Sequence, residues 1–140
     1  MLRFTETLCF KLGAASRTLQ KYYNNRYTDH GVTVAQSFIL YALIEEDGQS
    51  IKSLAEKLIL DGSAVTGFID RMEKEKFVQR VMDPQDRRSF QICLTEKGRQ
   101  IADAIYPITK EVNDLLTLNM DPAMRAMWDM YLNNIESYLK

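Results

Sequence analysis

The chain has 140 residues, of which 46% are apolar and 26% are charged, a composition typical of one globular domain. No apolar run reaches the roughly 18–20 residues that span a bilayer, and the N-terminal segment lacks the apolar core of a signal peptide. Cys9 and Cys93 have no C-x-x-C spacing and His30 is the single histidine, so we predict no metal site, no cofactor and no disulfide scaffold. We expect a cytoplasmic protein without a membrane partner.

The net charge of −1 hides an uneven distribution of charged residues along the chain. Residues 51–100 carry ten Lys or Arg against eight Asp or Glu, whereas residues 101–140 carry three against six. Clustered positive charge matters more for phosphate binding than the sum over the chain. The middle of the sequence is therefore the segment to examine for contacts with nucleic acid.

Apolar side chains recur every three or four residues from residue 5 to about residue 27, which predicts one long N-terminal helix. Thr33 and Gln36 have the spacing of a capping box and begin a second helix. Gly48 is suited to end that helix, because glycine readily adopts the left-handed conformation found after a helix C-terminus.

Two short helices follow, at 50–58 and from about 63 to 76, and a tight turn joins them. This spacing is typical of a helix-turn-helix. The apolar period then changes from 3.6 to 2, which predicts strands at 78–82 and 90–95 around a polar turn at 83–89. A helix-turn-helix followed by such a hairpin is a winged helix, and the hairpin is its wing.

Thr95 is placed to cap a further long helix, within which Pro107 lies, and Asp121-Pro122 is a strong start for the last helix. The predicted fold is mainly α with a small β-hairpin wing. Residues 33–95 account for a winged helix-turn-helix DNA-binding region. The helices at 1–30 and 96–140 carry more apolar surface than this small core can cover, so we predict that they pair with a second copy in a two-fold homodimer. Packing of these helices on each other and on the domain is the alternative.

The second helix of the helix-turn-helix has one polar face, formed mainly by small side chains that would allow close approach to a major groove. The wing adds arginines, and an arginine at a narrow tip suits the negative potential of a minor groove. The predicted DNA contacts are Ser63, Ala64, Thr66, Gly67, Arg71, Arg80, Arg87 and Arg88. Asp86 is predicted to pair with Arg88 and direct it. The alternative is an ordinary solvated face and a wet turn whose ion pair contributes little.

Asp86-Arg87-Arg88 followed by Leu94-Thr95-Glu96-Lys97-Gly98 resembles the wing signature of the MarR family of winged-helix transcriptional regulators. The segments 54–58 and 64–80 are similar to the same family, and the likeness covers essentially the whole chain as a single MarR-like domain. The resemblance implies a homodimeric repressor on a palindromic operator, released by a small molecule or by oxidation. It also implies that Arg88 enters the minor groove and that Asp86 supports it. Gly67 departs from the arginine that many members carry, so the operator sequence is not implied.

Residues 8–17 resemble the first helix of the organic-hydroperoxide-sensing branch of that family (OhrR), whose reactive cysteine falls on Cys9. A thiol near a helix N-terminus is a reasonable candidate for oxidation to a sulfenic acid. One of the two tyrosines of those sensors is matched by Tyr23, whereas the other falls on Val34. A packing role for Cys9 is the alternative.

The family resemblance also implies a small aromatic or phenolic effector, bound between the dimer helices and the winged helix. Aromatic side chains that could line such a pocket are Tyr22, Tyr27, Phe38 and Tyr41, each of which could equally belong to the core. An enzyme is not expected, since no glycine-rich phosphate loop, metal cluster or Ser/His/Asp set is present. A winged helix that only contacts proteins is the stronger rival.

Overall fold

A computed structural model describes all 140 residues of the chain. The six helices are α1 (Leu8–Tyr27), α2 (Val34–Glu45), α3 (Ile51–Leu58), α4 (Gly62–Lys74), α5 (Glu96–Thr117) and α6 (Pro122–Asn133). The two strands are β1 (Val78–Met82) and β2 (Phe90–Leu94). The predicted mainly α fold with a β-hairpin wing is confirmed. No helix is long and apolar enough to cross a membrane.

The helix starts follow local side-chain chemistry. The Thr33 hydroxyl accepts a hydrogen bond from the Gln36 amide, and the Gln36 side chain accepts one from the Thr33 amide, so the predicted capping box is present. Asp121 caps α6 by accepting from the Met124 amide at 2.8 Å. Helix α1 begins at Leu8 rather than near residue 5, because the Thr7 hydroxyl caps it.

Helices α3 and α4 form the helix-turn-helix, and their inner faces supply part of the core. Leu54, Val65, Ile69 and Met72 are fully buried there. The turn between the helices passes through Ile59, which has a φ of 54°. The left-handed conformation at this position ends α3 and turns the chain toward α4.

Strands β1 and β2 form an antiparallel hairpin in the register Val78↔Leu94 to Met82↔Phe90. Outside the hairpin, Gln49 forms an isolated antiparallel β-bridge with Ile92 of β2. This bridge explains why α2 ends at Glu45, three residues before Gly48. The intervening chain extends to reach the sheet.

The chain forms two compact units, residues 1–107 and residues 108–140. The first contains the helix-turn-helix, the wing and the first half of α5. The second contains the rest of α5, together with α6. The boundary falls at Pro107, which lies inside α5.

Candidate nucleic-acid interface

The exposed face of α4 carries small side chains near its N-terminus. Ser63 and Ala64 are exposed, and Thr66 and Gly67 are half-buried. The Thr66 hydroxyl donates to the Gly62 carbonyl at 2.9 Å, and a Cβ added at Gly67 would meet no atom within 4 Å. The start of the helix therefore presents a low, open surface that another backbone can approach closely.

Arg71, one turn further along α4, is held against its own helix. Its Nε donates to the Gly67 carbonyl at 3.2 Å, and its guanidinium lies 5.2 Å from the centre of the Phe68 ring. Arg71 as a whole is exposed to solvent. This positive charge accordingly lies beside the small residues that begin the helix.

The tip of the wing is organised by the Asp86 carboxylate. Its Oδ1 accepts from the Arg88 amide at 3.0 Å and lies 3.4 Å from the Arg88 Nε. The Asp86 carbonyl accepts from the Ser89 amide at 3.0 Å, which closes the turn. The side chain of Arg88 is nonetheless 94% exposed. Asp86 thus orders the backbone of the tip and leaves the Arg88 guanidinium in solvent, with Arg87 exposed beside it.

Arg80 connects the wing to α4. Its Nη2 lies 2.6 Å from Asp70 Oδ1 and its Nη1 lies 2.5 Å from Glu73 Oε1. The Arg80 amide also donates to Glu73 at 3.3 Å. The hydrogen bond to Asp70 is the main cause that raises the pKa of the Arg80 guanidinium above its ordinary value. Both carboxylates on α4 are therefore paired with one guanidinium of the wing, which offsets one of their two negative charges.

Residues 94–98 hold in place the connection between α4 and β1, residues 75–77. The Thr95 hydroxyl donates to the Lys76 carbonyl and accepts from the Gly98 amide at 3.0 Å. The Thr95 amide donates to the Phe77 carbonyl at 3.1 Å. Lys76 has a φ of 62°, so the chain reverses there in a left-handed conformation without a glycine.

Gly98 lies against the same joint. A Cβ at this position would overlap the Phe77 carbonyl oxygen and lie 3.1 Å from a methyl group of Leu94. Glycine is required because the backbone of α5 approaches the backbone before β1 this closely. The motif at 94–98 hence sets the angle at which the wing leaves α4.

The sequence did not predict the roles of two acidic residues in this region, Glu73 and Asp47. Glu73 binds Arg80, as described above. Asp47 accepts from the Leu94 amide at 2.8 Å and from Arg99 at 3.0 Å, which ties the end of α2 to β2 and α5. The partner of Glu73 is 7 residues away along the chain, and the partners of Asp47 are 47 and 52 residues away. No local sequence pattern indicates contacts over these separations.

Cys9 is exposed in the first turn of α1, the location predicted for it. Tyr23 lies on the same helix, and its ring packs 5.5 Å from that of Tyr27. At about 1.5 Å of rise per residue the two positions are about 21 Å apart. Tyr23 therefore cannot reach Cys9 within one protomer.

The four aromatic residues predicted for an effector pocket differ in exposure. Tyr27 is 1% exposed and belongs to the core, whereas Tyr22 is 45% exposed and Phe38 is 51% exposed. Tyr41 is half-buried. The Tyr22 hydroxyl accepts from Arg26 at 3.1 Å. Helix α1 therefore presents the Tyr22 ring beside the positive charge of Arg26.

A helix with an open N-terminal face beside an arginine-tipped hairpin defines the class of winged-helix DNA-binding proteins. Residues 32–90 match the model of the MarR family. The HTH-type transcriptional regulator SarZ of Staphylococcus haemolyticus is 31% identical over 114 residues, which are 81% of this chain and 78% of that protein. The chain belongs to the MarR family: it is a DNA-binding transcriptional regulator, not an enzyme.

Two solved structures are similar over nearly the whole chain. The S. aureus MepR–DNA complex superposes with a TM-score of 0.89 at 21% identity, covering 99% of this chain and 100% of that one. Bordetella bronchiseptica BpsR, described by its regulation of DNA binding by 6-hydroxynicotinic acid, superposes with a TM-score of 0.87 at 24% identity, covering 97% of each chain. At these identities the likeness establishes the fold.

Proposed function

We propose that the protein is a homodimeric repressor that binds a palindromic operator in double-stranded DNA. Each protomer would place the N-terminal half of α4 in a major groove, with Ser63, Ala64, Thr66 and Gly67 at the bases and Arg71 at the backbone. Arg87 and Arg88 of the wing would reach the adjacent minor groove. A protein with this task acts in the cytoplasm of a bacterial cell.

The observation that carries the proposal is the geometry of the wing tip. Arg88 is almost fully solvated, yet the turn beneath it is fixed by three hydrogen bonds to Asp86. An ordered turn that exposes a guanidinium is suited to insertion between two phosphate backbones. The MepR–DNA complex supports the same use of this fold.

We assign Arg80 to positioning rather than to a phosphate contact. Its guanidinium is engaged by Asp70 and Glu73, and it offsets one of their two negative charges on the surface that would face DNA. It also fixes the wing relative to α4, so that both elements reach their grooves together. Asp86 has the corresponding role at the tip.

The proposed effector is a small aromatic acid, bound near Tyr22, Phe38 and Tyr41, whereas Tyr27 is buried in the core and is no longer assigned to the site. Regulation of BpsR by 6-hydroxynicotinic acid supports this class of ligand. A thiol-based switch at Cys9 is the second candidate. The exposure of Cys9 favours it, and Tyr23 would then have to come from the other protomer.

The test is footprinting and gel-shift titration on the intergenic DNA beside the gene, between about 50 and 200 mM salt. Affinity should fall by on the order of a thousandfold or more over that range if each dimer neutralises six or more phosphates. A flat salt response, or no protected site, would favour a winged helix that contacts only proteins. Release by aromatic acids and by hydroperoxide, compared in the parent and in Cys9→Ser, separates the two kinds of effector.

A further inference from the structure

Four of the seven methionines are concentrated at α6 and the turn before it, within residues 120–130. They line an apolar groove of about 780 Å³. The other lining residues are Asp121, Ala123, Trp128 and Tyr131. The groove lies wholly within the unit formed by residues 108–140.

The methionines of α6 itself are exposed. Met124 is 51%, Met127 67% and Met130 58% accessible to solvent. Arg125 and Asp129 pair with each other at 3.1 Å. At 100° per residue that pair lies on the side of α6 opposite Met127, so the apolar face is not interrupted by charge.

The occupant of this groove is a second copy of the chain. Ten large apolar side chains of the unit are exposed: Leu115, Leu116, Leu118, Met124, Met127, Trp128, Met130, Tyr131, Tyr138 and Leu139. With about half of each side chain available, they offer on the order of 1,000 Å² per protomer, which exceeds the roughly 800 Å² that each partner buries in a stable complex. A self-complementary apolar face of this size fits a two-fold dimer.

We propose that Met124, Met127 and Met130 form an oxidation site that controls this dimer, and thereby the operator binding proposed above, on which this inference rests. The thioether sulfur attacks the outer oxygen of a hydroperoxide, so that an S–O bond forms and the O–O bond breaks. The sulfur loses two electrons, the peroxide gains them, and the proton of the peroxide passes to the leaving oxygen. The products are methionine sulfoxide and water or an alcohol.

The sulfoxide is polar where the thioether is apolar, so it opposes burial of the α6 face in a dimer. The sulfur atoms are reachable while protomers are apart, and an oxidised protomer cannot pair again. Oxidation therefore lowers the fraction of the protein that is dimeric, by mass action. It should proceed faster in dilute protein, where more protomers are separate, than in concentrated protein.

The chain supplies its own controls. Met82 is 53% exposed on the wing, outside the α6 face, and Met72 is fully buried in the core. The single tryptophan, Trp128, lies in the groove, so its emission reports whether the face is covered. Oxidation of each methionine can be followed by peptide mass, and the assembly state by analytical ultracentrifugation.

The experiment treats the full chain with hydrogen peroxide at two protein concentrations, with thiol reductant added afterwards to reverse cysteine oxidation. The expected result is faster oxidation of the α6 methionines in the dilute sample at an unchanged rate for Met82. Loss of dimer, a red shift of Trp128 emission and loss of operator binding should follow together. Methionine sulfoxide reductase should restore all three.

The triple variant Met124→Leu, Met127→Leu and Met130→Leu should remain dimeric and should keep operator binding after peroxide, whereas Met82→Leu should behave as the parent does. If the triple variant does not fold, Met127→Leu alone should lower the peroxide sensitivity, and repair by the reductase tests the parent directly. Recovery by thiol reductant alone, or α6 oxidation that leaves the dimer intact, would overturn the proposal. A reduced parent that remains monomeric would overturn it as well. A reduced parent that is dimeric but binds no DNA contradicts only the proposed function, since loss of the dimer can still be measured.

Discussion

The guanidinium of Arg80 on the wing lies 2.6 Å from the carboxylate of Asp70 on the recognition helix α4. The same side chain binds Glu73, so that one residue joins the two elements that would contact DNA. Asp70 is half exposed, and without its partner it would present a negative charge toward phosphate groups.

We predict that Arg80→Met weakens operator binding. The substitution removes one positive charge from beside two carboxylates, which opposes binding by about 1 kcal/mol at contact distance from a phosphate in water, or roughly fivefold in affinity. The double variant Arg80→Met with Asp70→Asn should recover part of the loss, since it removes one repelling charge. Fluorescence anisotropy with labelled operator measures both. No recovery in the double variant would assign Arg80 to a direct DNA contact.

Arg88→Ala should weaken operator binding by about 1–3 kcal/mol, as expected for an arginine inserted in a groove. Thermal stability should change by less than about 0.5 kcal/mol, because the side chain is 94% exposed and a surface ion pair such as the one with Asp86 contributes little. Gel-shift titration and thermal denaturation check the two parts. Asp86→Asn is the companion variant, and it should reduce affinity less than Arg88→Ala does. Unchanged affinity in Arg88→Ala would remove the wing from the DNA interface.

Gly98→Ala should destabilise the fold by about 1–3 kcal/mol, because the added methyl group overlaps the Phe77 carbonyl and the two backbones must separate. Gly67→Ala is the matched control on an open surface. It should stabilise α4 by about 0.5–1 kcal/mol, since alanine is the better helix former. Urea denaturation of both variants is the measurement, and equal stability of the two would contradict the close approach at Gly98. Weaker operator binding by Gly67→Ala would show that DNA uses the open surface.

The free energy of unfolding should fall at alkaline pH because the Cys93 thiol ionises. Burial, and to a lesser extent the Asp47 carboxylate, raise its pKa above the ordinary value. A raised pKa means that the folded state holds this proton to a higher pH than the unfolded state does. Its contribution is complete below the unfolded pKa of about 8.5 and is lost as pH rises through the folded pKa. Urea denaturation at pH 7.5 and at alkaline pH should give a smaller decrease in Cys93→Ala than in the parent or in Met82→Leu. An equal decrease in all three would exclude Cys93 as its source.

The elements of the fold could be predicted wherever a local signal sets them. The capping box at Thr33 and the Asp121-Pro122 start act within one helical turn, and the change of apolar period locates β1 at 78–82. The predicted ends were wrong where a neighbouring element decides them. Helix α2 stops before Gly48 because Gln49 pairs with Ile92 of β2. Helix α1 is different, because it begins at Leu8 after a local cap, the Thr7 hydroxyl, that the apolar periodicity does not reveal.

The features of the candidate site likewise divide into those that a local sequence pattern predicts and those that depend on packing between distant segments. A basic tip and a face of small residues are visible in the sequence, and so is the pairing of Asp86 with Arg88 two residues away. The attachment of Arg80 to Glu73, and of Asp47 to Arg99, depends on how distant segments pack. The distance between Cys9 and Tyr23 likewise becomes apparent only once both are placed on one continuous helix.

The close approach of Gly98 to Phe77 has a practical consequence for retargeting this regulator. Residues 94–98, part of the wing signature found in the sequence, hold the connection between α4 and β1 and leave base selection to the opening turn of α4. A library built to change the preferred operator can therefore randomise Ser63, Ala64 and Gly67 while holding Thr95 and Gly98 constant. Selected variants should then differ in the operator that they bind, while the connection between α4 and β1 stays unchanged.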